Sequence, residues 1–538
     1  MTNTCNTDDC NLTAKYDGSC ALHCEKSDYQ SDRIKGVLED FYDQLTEYIL
    51  KEIFLRLDTD EADQELRIEL QGGGIEWPKE KLEKIQERKN IYTNQIKSDE
   101  ENSTLEALKQ YPIVFQGIIF PDNKSRDYFD FFKLFKKFEG IHFDSSIINF
   151  GSFNLSNIKL FFQDCNFVDD WSIHSYAILE DVVSQSIFQN CTFQRSVTSV
   201  SMENARDVLT VEHHLFSDCK FNKQLALYRG TYTKSIFNNT DEYEQQISNL
   251  HLENCMFTGR FKLNSSEIGL LKIQNMEFKE KVELKYNTIK QAVIANVNFK
   301  KLFDAYMTTF KRFKISRSIF DDFTGFEKCQ FGIKDSVGEK VTEFEYVTFL
   351  NFTNFRKAKF YNGLDIEHTN LKESPNFLNA EINFDNTNRE TYRIIKHSFD
   401  KIGNQIEANK YFSYEMKKYK EELKESDSKT ELFIYWVNEK ISNFGASYVK
   451  PAFLMLASAV IYYLLIIGYE CNLLYQFDDQ INKYLNRFMS QVNLFAKGIP
   501  PYGRFLKEGM EFVTLLFHIF FLTCTWQFIV AVKRRTQR

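Results

Sequence analysis

No run of apolar residues long enough to cross a bilayer occurs in the first 450 residues of this 538-residue chain. The opening stretch, MTNTCNTDDCNLTAKYDGSC, has neither a basic n-region nor an apolar h-region, so no signal peptide is expected and the body is assigned to the cytoplasm. Neither charge sign dominates. The 67 Lys and Arg are interleaved with 75 Asp and Glu for a net charge of −8, which excludes an evident nucleic-acid groove, and no nucleic-acid partner is expected. Catalytic signatures are also missing: there is no Gly-rich phosphate loop, nucleophile elbow or HExxH. His213 and His214 form an isolated pair, read as a loop feature, and an enzyme is the weakest reading. Eleven cysteines in a cytoplasmic body argue against a disulfide scaffold. Proline is scarce, 7 copies against 52 phenylalanines, and that phenylalanine must fill a core.

What is present begins at the end. Two apolar runs, about 452–469 and 512–532, meet or approach the about 20 residues that a helix needs to cross a bilayer core. Tyr462, Tyr463 and Tyr469 flank the exit of the first. Lys440 and Lys450 precede it, and Lys533, Arg534, Arg535 and Arg538 follow the second, so both termini read as cytoplasmic and the loop 469–511 as external. That loop's own Lys483, Arg487, Lys497, Arg504 and Lys507 weaken the asymmetry without reversing it.

At the other end Cys5, Cys10, Cys20, His23 and Cys24 crowd together as C-x4-C-x9-C-x2-H-C. Zinc takes four sulfur or nitrogen ligands in a tetrahedron, and closely paired ligands on two turns supply that geometry. Cys5, Cys10, Cys20 and His23 are the favoured set, with Cys24 as the alternative fourth ligand. The segment is too short and polar for a core, so the ion would be its main source of order, in a structural role.

Ile34, Leu38, Phe41, Leu45 and Ile49 lie at helical spacing, the glycines at 72–74 break the pattern, and Trp77-Pro78 opens a second, charged helical run toward Lys97. From Tyr111 the texture changes to short β-rich runs with N-x-x-F and C-x-F units. ENCMF, QNMEF, ANVNF and SRSIF end on Phe257, Phe278, Phe299 and Phe320, each 21 residues after the last. Five residues earlier stand Leu252, Ile273, Ile294 and Ile315 in the same register. A fixed period near 20 with short strands predicts a stacked-coil solenoid with a phenylalanine ladder inside. The residue two before each Phe (Cys255, Met276, Val297, Ser318) should also point inward, and Cys165, Cys191, Cys219 and Cys329 read as small buried residues of the same kind. Phe167, Phe193, Phe221 and Phe257 step by 26, 28 and 36, which predicts loops bulging from the earlier coils. Next, Tyr392, Ile395, Phe399, Ile402 and Ile406 form a helical stripe with a turn at Gly403-Asn404, read as a helical hairpin over the open end of the solenoid.

The repeat pattern, with CALHCEK, RETYRIIKHSFDKIGNQIEANKYFSYEM, SNFGASYVKP and WQFIVAVKRRTQR, resembles bacterial pentapeptide-repeat membrane proteins. The resemblance implies a right-handed quadrilateral β-solenoid, mainly β, with flanking helices and, in some members, a channel-like two-helix transmembrane tail. The implied division is a zinc knuckle at 1–30, a helical region at 31–110, the solenoid at 111–388, a hairpin and interfacial helix at 389–445, and a membrane domain at 446–538.

In the second apolar run Thr514, His518 and Thr525 share a face, with Glu511 a turn above. Such residues line a water path or hydrogen-bond between helices. One chain with two spans cannot enclose a pore, so conduction would need a homo-oligomer. The PYG of FAKGIPPYGRF is not a potassium filter. Two functions remain in view: an oligomeric, pore-like effector of the bacterial inner membrane, suited to stress or phage defence, and an anchored scaffold whose solenoid binds a protein partner.

Overall fold

A short polar residue three positions before six of the ladder phenylalanines sets the backbone of the body. Asp164, Asn190, Asp218, Asn254, Asn275 and Asn296 all have φ between 50 and 56°. Asn and Asp tolerate this left-handed conformation because their side chains hydrogen-bond locally. After Asp164, Asn190, Asp218 and Asn254 the chain turns a corner and starts a new strand, whereas Asn275 and Asn296 lie within longer strands. The next residue is small and faces inward: Cys165, Cys191, Cys219 and Cys255 are all buried. Their thiols meet main-chain carbonyls, as in Cys191 Sγ to Phe162 O at 3.5 Å and Cys219 Sγ to Phe188 O at 3.3 Å. No cysteine of the chain is in a disulfide.

The computed structural model describes residues 4–7, 10–26, 32–56, 61–71, 75–98, 112–122, 124–125, 129–151, 158–173, 186–199, 209–239, 245–334, 341–425, 428–471, 479–497 and 506–536. They divide into two units, one of residues 1–362 with 368–373 and 379–381, the other of 363–367, 374–378 and 382–538. The architecture is mainly β in the first unit, with parallel sheets, and helical in most of the second.

In the first unit the strands Gln245–Glu253, Ser266–Phe278 and Thr288–Phe299 pair in parallel with a shift of 21 residues. Leu252, Ile273, Ile294 and Ile315 are direct register partners. So are Phe257, Phe278, Phe299 and Phe320, and the column continues to Phe349 and Leu371. Both columns predicted from spacing are formed. Rings of the second stack nearly flat, with centroids 5.2, 5.3 and 4.6 Å apart from Phe257 to Phe320.

The earlier phenylalanines belong elsewhere. Phe167 pairs with Phe193 and Phe193 with Phe221, but Phe221 pairs with Ile247, not with the Phe257 column. That line runs on through Ile268, Ile289, Phe310 and Phe331 to Phe360. The rung before Phe257 holds Tyr232 instead. The interval of 36 residues is therefore a change of column, whereas the steps of 26 and 28 lie within one column. A third column, Phe115, Phe143, Phe162, Phe188 and Phe216, was not apparent from the repeat.

Helix α1, Asp32–Arg56, packs Leu38, Phe41, Leu45 and Ile49 inward, with Phe41 edge-on to Phe120 at 6.1 Å. The side chain of Ile34 and the glycines at 72–74 lie outside the described residues. Helix α2 is Glu61–Leu70, and α3, Lys79–Lys97, begins after Pro78, where a missing N–H costs nothing.

In the second unit α4, Arg389–Lys401, is capped by the Asn388 side chain, which accepts from Thr391 N at 2.8 Å. Its Thr391 Oγ1 also accepts from Ile366 N, and Thr387 Oγ1 from Leu364 N, both at 3.1 Å. Gly403 (φ +77°) turns the chain into α5, Gln405–Glu425. Tyr392, Ile395 and Phe399 are buried as expected, but Ile402 and Ile406 are each 64% exposed. The stripe ends because α4 stops at Lys401, and the turn rotates both isoleucines out of its face. Helix α6, Lys429–Ser442, then leads to α7, Val449–Glu470, α8, Asp479–Lys497, and α9, Glu511–Thr536.

Candidate metal centre and the paired apolar helices

The N-terminal segment is folded by turns, not by a core. Cys5 N donates to Leu12 O, Asn6 N to Gly18 O, and His23 N and Cys24 N to Cys20 O. Gly18 takes φ +86°, a left-handed conformation that favours glycine over any residue with a Cβ. These turns bring four donors together. Cys5 Sγ and Cys20 Sγ lie 3.5 and 3.2 Å from His23 Nδ1, and Cys10 Sγ is 3.8 Å from Cys20 Sγ. All four ligand atoms lie within 4.8 Å of one another.

A tetrahedron with metal–sulfur bonds of about 2.3 Å and a metal–nitrogen bond of about 2.0 Å has S–S edges of roughly 3.8 Å and S–N edges of roughly 3.5 Å. The three edges just given, 3.5, 3.2 and 3.8 Å, are close to these dimensions, the others are no longer than 4.8 Å, and the cluster could hold a metal ion. Cys24 lies outside it, with Sγ turned to Ala21 O at 3.7 Å. Within the cluster burial pushes the Cys20 thiol up to about 12. Burial also acts to raise Cys5, but hydrogen bonds with Thr7, Cys20 N and His23 outweigh it and bring that thiol down to about 6.

Lys26 and Ile119, which carried no signal in the sequence, tie this segment to the body. Ile119 N donates to Leu22 O at 2.9 Å. The buried Lys26 ammonium donates to Cys24 O and Ile119 O, each at 2.8 Å, and sits 4.7 Å from the Phe41 ring centroid. Burial lowers its pKa to about 8. Among the described residues His213 and His214 belong to no such cluster, and His214 Nδ1 is held by Ser235 O at 2.7 Å.

Helices α7 and α9 are long and apolar enough to span a membrane. Their polar residues meet other helices of the same chain. Tyr462 OH and Thr514 Oγ1 are 2.9 Å apart, and the Tyr462 ring stacks on Phe517 at 4.2 Å. Thr525 lies 3.9 Å from Met455 Sδ, and Gln527 accepts from Ser442 Oγ at 2.7 Å. Glu511, 3% exposed, pairs with Lys497 at 2.7 Å. His518 is half-buried. Phe453, Leu456, Val460, Tyr463 and Leu464 on α7, and Leu516, Ile519, Leu522, Trp526 and Ile529 on α9, are exposed.

Helix α8 falls in the stretch read from sequence as an external loop. Its signal was present as apolar residues at 484, 485, 488, 489, 492, 495 and 496, a helical spacing. Asn493 fixes it to the start of α9: Nδ2 donates to Gly509 O at 3.0 Å, and Oδ1 accepts from Phe512 N at 2.9 Å. Ala496 is buried, while Tyr484, Phe488 and Phe495 are 64–80% exposed. The PYG segment lies outside the described residues. No family model, no curated protein and no solved structure matches this chain.

Proposed function

We propose that this chain is a membrane-tethered interaction protein. In this reading the parallel ladders are faces of a right-handed quadrilateral β-solenoid of the pentapeptide-repeat kind, held in the bacterial cytoplasm. A structural zinc ion on Cys5, Cys10, Cys20 and His23 fastens its N-terminal end, through Leu22, Cys24 and Lys26, to the first strands. Cysteine-rich donor sets of this size and shape suit zinc. Helices α7 and α9 cross the inner membrane with both termini inside, and α8 lies in the outer interface with Tyr484, Phe488 and Phe495 toward lipid. The solenoid surface takes a protein partner, as extended repeat surfaces do.

One observation carries the choice of tether over conduction path. Glu511, Thr514 and Thr525 are engaged by Lys497, Tyr462 and Met455 of the same chain. Their polarity serves helix pairing, and the outward faces of α7 and α9 are left apolar, as lipid contact requires. The full chain reconstituted in liposomes with a potential-sensitive dye should resist carbonate extraction and leave an imposed potential intact. A conductance that changes with Thr514→Ala or His518→Ala would replace the tether with the oligomeric, pore-like effector.

A further inference from the structure

At the basic end of α9 lies a cavity of about 240 Å³, lined among others by Lys410, Arg534, Arg535, Asn409, Ser413 and Asn443. Three cations face one small space. Glu407 pairs with one of them, Lys410, at 3.4 Å, which leaves the positive charge of the lining in excess. Like charges brought together in this way raise the free energy of the site unless an anion joins them.

Arg534 is held in place by its own partners. Arg534 Nη1 donates to Phe444 O at 2.6 Å, and its guanidinium lies 4.3 Å over the Phe412 ring. The Arg534 carbonyl accepts from Asn409 Nδ2 at 2.7 Å, which clamps the end of α9 to α5. Gly445 (φ +79°) passes so near that a Cβ there would lie 3.0 Å from Arg534 Nη1. Arg535 is placed over Tyr448 at 5.4 Å. A guanidinium has five N–H donors, and fixing it in advance removes most of the entropy lost when it grips a tetrahedral oxyanion. Ser413, Asn409 and Asn443 add neutral polar groups to the lining.

We propose that this cavity binds a phosphate-class anion, either the headgroup phosphate of an anionic lipid or a soluble phosphate. The lipid source rests on the membrane reading above; the soluble source does not. The test uses the full chain in neutral detergent. Thermal unfolding is followed with inorganic phosphate against sodium chloride of equal ionic strength, and native mass spectrometry counts phosphatidylglycerol retained from mixed micelles with phosphatidylcholine. One of the two ligands should bind, and Lys410→Gln or Arg535→Gln should weaken it about fivefold or more. Lys533→Gln, a cation of the same tail outside the lining, should leave it unchanged. A phosphate response assigns a soluble ligand, and retention of phosphatidylglycerol alone assigns the lipid. No response to either, or an equal loss in Lys533→Gln, would overturn the site. A chain that carbonate strips from membranes yet binds phosphate would keep the site and sink the membrane reading.

Discussion

Truncating one ring of the central ladder tests the stacked-coil reading most directly. Phe299 is fully buried, lies flat between Phe278 at 5.3 Å and Phe320 at 4.6 Å, and meets Phe303 edge-on at 5.1 Å. Phe299→Ala removes the apolar transfer energy and leaves a cavity between two rungs, a change that costs about 3–5 kcal/mol. Phe299→Leu keeps most of the volume and forfeits mainly the ring contacts, for about 1–2 kcal/mol. Leucine is compatible with the column, because Leu371 already stands in register with Phe349. The sharper quantity is the coupling between positions. Phe278 and Phe299 touch, so their double-alanine variant should depart from additivity by about 0.5–1.5 kcal/mol. Phe257 and Phe320 lie three rungs apart, on the order of 15 Å, and should be additive within about 0.5 kcal/mol. Native-state hydrogen exchange of the amides in Ser266–Phe278 and Thr288–Phe299 reads these energies locally, without requiring the two long apolar helices to unfold. Equal coupling in the near and far pairs, or none in either, would refute nearest-neighbour stacking.

Two further outcomes follow from charge and ligation. Glu283 is 3% exposed and ringed by Arg260, Lys281 and Lys285. Burial acts to raise its carboxyl, but the hydrogen bonds from the three cations prevail and hold it at about 2, below its ordinary 4.5. A depressed carboxylate stabilises the fold above its unfolded pKa, so this contribution should be complete above pH 4.5 and vanish as pH falls through about 2. Glu283→Gln should cost roughly 1–2 kcal/mol at pH 7, allowing for solvent screening of the half-exposed Arg260, and the gap to wild type should close in acid. A gap independent of pH would contradict the assignment. At the N-terminus, Cys20→Ser should lower bound zinc from about one ion per chain to none, while Cys24→Ser should retain it. Equal metal content in the two variants, by elemental analysis after chelator-free purification, would remove Cys20 from the ligand set or return Cys24 to it.

Features carried by neighbouring residues were legible in the sequence. A 21-residue period, an Asn or Asp before most of the inward small residues, and four donors within twenty positions all report local conformation, which side-chain chemistry dictates directly. Choosing His23 over Cys24 was harder, because both follow Cys20 closely and only the turn at residues 20–24 points one of them at Cys5. Pairings across intervals of changing length were not legible. Phe221 and Phe257 look like successive rungs, yet Ile247 stands where Phe221 needs a partner and Tyr232 precedes Phe257. The same limit hid Lys26 beneath Phe41, and Tyr462 beside Thr514. By itself, then, the sequence determined the period, the cluster of candidate donors and the two apolar helices, because each depends on spacing along the chain. Only the tertiary structure decided which columns join, that the polar stripe of α9 is engaged within its own chain, and that three cations share one cavity at its end. Those depend on packing between segments whose separation in sequence carries no information about their distance in space.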